Sequence, residues 1–342
     1  MNRRNFIALI GGGLATSLPE VRAEHRIVSA DPLVVETDLG SLEGRYTPTA
    51  EFYVRDHTKT PTVPRESPLL VEGEVGKPLR LTPEGLTHLE KRQMGAVLEC
   101  AGNPVARAGA ASCGLWEGWL LADVLSLAQP YQSGRYLHLY ARDGFVRSVP
   151  IDRGYNDALL VTGLNRYPLG RTHGAPWRVL FPGWYAMDSV KWLERILVST
   201  APQPSHGNEY LEVTEGPCNP LNRRSLRRIQ VKSIILSPAS GSAVPQGRVQ
   251  VKGLAWSGEG RISTVEVSGD GGTTWRRATA DVGTRYEWAP WRCSLELNRR
   301  GATELVSRAT DNKGIQQPER RDPARLDGYG DNWWHRVRCV VM

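Results

Sequence analysis

Several features that would place this 342-residue chain at once are missing from it. Beyond the N-terminal segment, no stretch is apolar enough to cross a bilayer core of about 30 Å as a helix. The five cysteines (Cys100, Cys113, Cys218, Cys293 and Cys339) form no CxxC pair, no CxxCH motif and no zinc-like spacing. Covalently attached haem and a cysteine-framed zinc site are therefore excluded. A flavin fingerprint is also absent. Compositional bias is lacking: 40% hydrophobic and 23% charged residues describe an ordinary globular protein, not a disordered or collagen-like one. A strong charge of one sign is missing as well, since the net +7 is scattered along the chain. The one basic cluster, Arg223-Arg224-Ser225-Leu226-Arg227-Arg228, reads as a solvated segment between domains or an anion-facing surface, and no nucleic-acid partner is expected. A mild positive excess favours a small anionic substrate.

What is present begins at the N-terminus. Asn2-Arg3-Arg4-Asn5-Phe6-Ile7 precedes an apolar run over 7–18, and small residues around Ala23 offer a cleavage site. This pattern predicts a signal peptide over 1–23, and its paired arginines resemble a twin-arginine signal. An uncleaved N-terminal anchor is the alternative. A periplasmic protein with no membrane span in the mature chain is expected, its net charge falling to +5 on cleavage. The odd cysteine count leaves at least one thiol without an internal partner.

The length suits two domains. Residues 24–50 look like an extended leader, interrupted by Asp31-Pro32, Gly40 and Pro48. Strands are predicted over 69–75, 96–99, 136–140, 159–162, 177–181 and 196–198, with helices over 83–89 and 120–128. Together they suggest an α+β fold whose first domain, 24–225, is mixed, with long loops that build a site. Short strands then recur over 229–235, 248–254, 264–268, 274–278, 293–297 and 303–309, with Gly269-Asp270-Gly271-Gly272 as a hairpin turn. This spacing predicts an all-β, immunoglobulin-like sandwich over 226–342.

Three clusters can carry chemistry. In Tyr53-Val54-Arg55-Asp56-His57 the arginine and histidine share one face of a strand. Glu99-Cys100-Ala101-Gly102-Asn103 places a cysteine where a buried strand enters a tight turn. Arg171-Thr172-His173-Gly174-Ala175-Pro176-Trp177-Arg178, followed by Gly183 and Lys191, gathers cations around glycines as an anionic group requires. Each has a plainer reading: a surface pair, a small buried hydrophobe, a hairpin cap. A cysteine hydrolase using Cys100 with His57 or His173 is also compatible. Residue types alone stop at an anion-binding site with an available thiol.

The phrases YVRDH, LECAGN, DGFVRSVP, RTHGAPWRVLFPG and SVKWL occur in the order and approximate spacing of the molybdenum domain of sulfite oxidases. Farther on, VKGLAWSGEGRISTVEVSGDGGTTWRRA, WAPWRC, SRATDNKGIQQP and GYGDNWWHRVR resemble that family's dimerisation domain. The resemblance covers about residues 45–342. It implies a molybdenum ion held by one molybdopterin and by Cys100 as protein ligand. Arg55 and His57 match active-site positions, and Tyr53, Asp143, His173, Arg178, Ser189 and Lys191, together with Arg55, His57 and Cys100, match the cofactor-binding set. It further implies oxidation of a sulfur oxyanion, a homodimer, and an external acceptor, here a c-type cytochrome.

Three departures concern the substrate. Phe145 stands where the family has a tyrosine near the metal, and Val105 and Asp327 where it has substrate-binding arginines. Arg107 and Arg325 are nearby candidates to compensate, and Tyr185 is a candidate for the missing hydroxyl. Oxidation of sulfite or a related oxyanion is therefore the first expectation. The alternatives are the same cofactor acting on carrier-bound sulfur or an organic S-oxide, and a non-catalytic binding protein that keeps the fold.

Overall fold

The computed structural model describes residues 26–42, 44–204, 211–213, 223–321 and 329–342. The segment 1–23, Cys218, Arg325 and Asp327 lie outside the described residues. Among the described residues there is one α-helix, Leu121–Ala128, and the architecture is otherwise β with short 3-10 turns. The expected mixture of helix and strand thus resolves into a largely β fold. The segment 83–89, read as a helix, contains only the turn Glu84–Leu86. So short a stretch, carrying Gly85, cannot repay the cost of helix nucleation.

Two five-stranded sheets make up the first part of the chain. One runs Tyr167–Pro168, Leu159–Leu164, Ala111–Leu120, Lys91–Glu99, with Arg178–Leu180 also paired to Leu159–Leu164. The other runs Leu79–Leu81, Leu69–Gly73, Leu193–Ser199, Tyr136–Ala141, Val146–Pro150, and its Leu193–Ser199 and Leu69–Gly73 strands are parallel. The helix and both sheets share one apolar core that includes Leu69, Trp119, Val124, Leu139, Leu160, Trp177 and Ile196. The supposed leader is not wholly irregular: Arg26–Ala30, Leu33–Glu36 and Val54–Arg55 form a small antiparallel sheet. The strand expected over 96–99 extends back to Lys91, where its exposed start (Lys91, Arg92, Gln93) hid the pattern.

From Lys232 onward the chain forms a four-stranded sheet (Lys232–Ser237, Gly247–Trp256, Ala289–Leu297, Thr279–Ala280) and a five-stranded sheet (Ala243–Val244, His335–Val341, Gly301–Asp311, Ile262–Ser268, Arg276–Arg277). Alternate residues of Ala289–Leu297 and His335–Val341 are buried, as a sheet wetted on one side requires. Their inward faces meet in a core containing Val251, Val265, Trp291, Leu295, Leu305 and Val337. The strand expected over 274–278 is split between the pairs Arg276–Arg277 and Thr279–Ala280, which belong to opposite sheets.

A further apolar cluster joins the two parts. Val97, Ala101, Cys113 and Tyr185 pack with Ile229, Ile234, Leu254, Trp256 and Trp288. The connecting segment is tied down by charge: Arg227 faces Asp188 at 3.7 Å, and Arg228 pairs with Glu259. The basic cluster is therefore largely structural at these two positions.

Ile196 is fully buried on the central strand Leu193–Ser199. Ile196→Ala is expected to cost about 2–5 kcal/mol, read as a lower urea midpoint with an unchanged slope.

Candidate active site

The functional side chains sit on strands or on the loops that the sheets position, Arg55 and Arg178 within strands and the others beside them. Val54 and Arg55 pair with Val35 and Val34 of the small sheet. Alternation along this segment buries Val54 and Asp56 and leaves Arg55 and His57 open at the mouth of a cleft. Cys100 follows the Lys91–Glu99 strand directly. Its N–H donates to Ala110 O at 2.9 Å, and Asn103 N–H closes the turn onto Cys100 O at 3.0 Å. Asp143 caps the turn before Val146–Pro150, accepting from Phe145 N–H at 3.1 Å and from Thr58 Oγ1 at 2.8 Å. The ring of Phe145 lies parallel to His57, with centroids 5.0 Å apart and planes 6° from parallel.

The third wall comes from the segment 171–192. Gly174 adopts φ 108°, and a Cβ there would lie 2.9 Å from the Lys191 backbone, so only glycine lets the two strands of this loop approach. Lys191 reaches inward, pairs with Asp56 and stands 4.2 Å over the Trp192 ring. Trp192 itself has φ 49°, a left-handed conformation that costs a bulky residue about 1–2 kcal/mol. It is held by Nε1 donating to Arg171 O at 2.7 Å and by its N–H to Gly174 O at 3.1 Å. Arg178 donates to His173 O at 3.1 Å and stacks 5.2 Å from the Trp116 ring. Ser189 uses its hydroxyl to accept from Phe181 N–H at 3.0 Å.

Tyr53, Arg55, His57, Cys100, Asp143, His173, Arg178, Ser189 and Lys191 all line this one cleft. Val105 is buried outside it, and Arg107 faces a different groove, 3.8 Å from Glu36. Tyr185 is fully buried in the cluster between the two parts of the chain, where its hydroxyl accepts from Gln230 N–H at 3.4 Å. Neither residue stands in for the missing family groups within the cleft.

Burial governs the charges. It holds the His173 imidazole far below its ordinary value, at about 3, with Arg178 and Lys191 pushing in the same direction. Lys191 is lowered to about 8 by burial, against the pull of Asp56, and Arg178 to about 10. Burial raises the Cys100 thiol, opposed by a hydrogen bond from the Gly102 backbone and by Arg55.

Family models match in two blocks. Residues 57–207 match the oxidoreductase molybdopterin-binding domain, and residues 223–342 match the Mo-co oxidoreductase dimerisation domain. Sulfite oxidase of Gallus gallus is 33% identical, covering 91% of this chain and 77% of its own length. Mitochondrial sulfite oxidase of Homo sapiens is 30% identical over 87% of this chain, which spans only 62% of the human protein. Among solved structures, the sulfane dehydrogenase SoxCD of Paracoccus pantotrophus superposes with a TM-score of 0.84 at 25% identity, covering 96% of this chain and 92% of that one. The chain belongs to the sulfite oxidase family. It is a molybdopterin oxidoreductase, and its cofactor is molybdenum with molybdopterin.

The cleft fits that group. Tyr53 Oη and Arg178 Nε are buried there without a hydrogen-bond partner, as expected of atoms that face a polar ligand. Arg178, Lys191 and neutral His173 suit a phosphate and a pterin. Among the described residues no three His, Cys, Asp or Glu side chains converge on one point. A single thiolate completed by a non-protein chelate matches that donor set.

Sequence reasoning overlooked what lies behind the cysteine. Glu99 is fully buried, and its partners Lys232 and Trp256 come from the second part of the chain. The only available signal was a charged residue, Glu99, ending a strand otherwise read as buried. The ring of Tyr329 also covers the cysteine turn, 3.4 Å from where a Gly102 Cβ would stand.

The His173 shift gives a pH signature. Its folded value lies below the unfolded one, so the unfolded chain protonates first and stability falls as pH drops from about 6.5 towards 3. In cofactor-free protein, His173→Gln is expected to flatten this acid limb by up to about 1.4 kcal/mol per pH unit, measured as urea midpoints across pH 3–7.

Proposed function

We propose that the chain is a periplasmic, homodimeric molybdenum-dependent dehydrogenase. In this reading it oxidises sulfite or a related sulfur oxyanion and passes electrons singly to an external c-type cytochrome. Residues 1–23 act as a twin-arginine-type signal, 24–225 as the catalytic domain and 226–342 as an immunoglobulin-like dimerisation domain. The observation that carries the reading is the convergence of nine residues, distant in sequence, on one cleft around Cys100.

When bound, the cofactor supplies two-electron oxo transfer to a sulfur lone pair. The chain's own residues do the rest. The Cys100 thiolate ligates the metal. Lys191, Arg178 and His173 hold the phosphate end, with Ser189, Tyr53 and Asp143 fixing the pterin. Arg55 and His57, open at the mouth, face the arriving anion, and Phe145 fixes the orientation of the His57 ring by stacking on it. No helix among the described residues is long and apolar enough to cross a membrane.

Protein purified from a cofactor-competent host is expected to contain near-stoichiometric molybdenum, and sulfite should bleach its visible thiolate-to-metal band. Cys100→Ser should lose that band. Molybdenum without bleaching would discard sulfite as substrate; absence of molybdenum from the wild type would sink the enzymatic reading.

One observation favours a second substrate. Val105 is buried away from the cleft and Phe145 presents a ring without a hydroxyl, so among the described residues Arg55 is the arginine open at the mouth, with Asp143 in the same cleft. A sulfur atom on a larger, less charged carrier suits such a mouth, in line with the sulfane dehydrogenase similarity. Phe145→Tyr is expected to raise kcat/KM for sulfite by about tenfold through an added hydrogen bond. An unchanged value in steady-state assays would count against Phe145 as a determinant of substrate choice.

A further inference from the structure

Behind the cysteine turn lies a polar cluster closed off from solvent. Glu99, Asn103, Lys232 and Trp256 are each at most 1% exposed. Glu99 precedes Cys100 directly. Its Oε1 accepts from Lys232 Nζ and from Asn103 Nδ2 at 3.0 Å, and its Oε2 accepts from Trp256 Nε1 at 2.8 Å. Lys232 also donates to Asn103 O at 3.3 Å. Asn103 Oδ1 in turn accepts from Ala110 N–H at 3.0 Å, beside the Ala110 carbonyl that receives Cys100 N–H. The Asn103 end of the turn Cys100–Asn103 is thus gripped by the carboxylate of the residue that precedes Cys100, and two of that carboxylate's three donors come from the sandwich.

We propose that Lys232 and Trp256 are positioning residues for the Cys100 thiolate: acting through Glu99, they set the conformation of the turn that presents the sulfur. The inference rests on Cys100 being the metal ligand, but the geometry it describes belongs to the chain alone. Its logic is steric and directional. The carboxylate satisfies Asn103, Lys232 and Trp256 together in the observed placement of residues 99–103, and displacing the turn breaks at least one of these bonds. Neighbours that orient a metal ligand commonly matter by about 10- to 100-fold in metal affinity or activity when removed. The arrangement also gives the second part of the chain a task besides self-association, because the site's own ligand is held from there.

The experiment compares wild type with Lys232→Met, Lys232→Arg, Trp256→Phe and the double variant Glu99→Gln/Lys232→Met. The double variant removes the ion pair without leaving a buried charge unpaired, so it separates positioning from simple loss of folding. Two readouts are taken. In molybdenum-loaded protein, the position of the visible band and kcat are expected to change in Trp256→Phe and in the double variant. There kcat should fall about 10- to 100-fold with KM nearly constant, and Lys232→Arg should restore much of what Lys232→Met loses. In cofactor-free protein, alkylation of Cys100, followed by peptide mass spectrometry, is expected to quicken about tenfold as the turn opens. A folded double variant and a folded Trp256→Phe with the wild-type band, kcat and alkylation rate would overturn the proposal. The alkylation rates decide it even if the wild type took up no molybdenum, a result that would remove only the functional reading above.

Discussion

A carboxylate with no access to water sits where the two parts of the molecule meet. Burying the charge of Glu99 is tolerable only because Lys232, Asn103 and Trp256 reach it together. Removing one partner of such a pair typically costs about 3–5 kcal/mol, since the remaining charge stays buried. The Lys91–Glu99 strand, the turn bearing Cys100 and the docking of the sandwich are therefore energetically one unit. The apolar cluster around Trp256 and Trp288 supplies the dry surroundings in which those hydrogen bonds are strong. A second link, Asp188 between Arg147 at 2.8 Å and Arg227 at 3.7 Å, ties the loop before Ser189 to the connecting segment. Two walls of the cleft are thus braced by buried carboxylates, each adjacent in sequence to a residue of the cleft.

The cleft itself is arranged at some cost to the ligand-free chain. Tyr53 Oη and Arg178 Nε have no partner, and an unsatisfied buried polar atom costs about 1–3 kcal/mol. Trp192 is held in a strained conformation beneath Lys191. Burial works against every cation lining this wall, and it leaves His173 neutral beside two of them. Such penalties are compensated when an anionic, hydrogen-bonding group arrives. The same features that weaken the empty site therefore contribute to its affinity when filled.

Much of this was legible in the sequence, for reasons that differ from one element to the next. Alternation exposed the sandwich strands because each has one wet face, as in Ala289–Leu297. It concealed Lys91–Glu99, whose first residues are exposed and last are buried on both faces. The segment 83–89 misled because proline and acidic residues signal a helix start without saying how far the helix runs. Cleft residues stood out where chemistry concentrates in short motifs, as in YVRDH and RTHGAPWR. Lys232 could not be found in this way: it is a lysine in an ordinary strand, and its role depends on a contact 133 positions away. Tyr185 shows the converse error. A hydroxyl two residues after a glycine turn looks available in the sequence, yet the ring is fully buried in the cluster between the two parts and its oxygen accepts from Gln230.

Charge at the mouth bears most directly on the substrate. Arg55 opens there and Asp143 lines the same cleft, so the attraction on an approaching dianion is partly offset, while Asp56 is already paired with Lys191. In a mouth open to solvent the attraction from one arginine is of the order of 1 kcal/mol at 4 Å. An inorganic dianion has few other means of holding on. A sulfur atom displayed on a larger molecule draws binding energy from surface away from the reacting centre and needs fewer cations at that centre. The flat ring of Phe145, kept parallel to His57, offers such a surface in the cleft that Cys100 lines. Under the proposed function, Phe145 and Val105 favour the same reading, a substrate recognised by its body as well as by its charge.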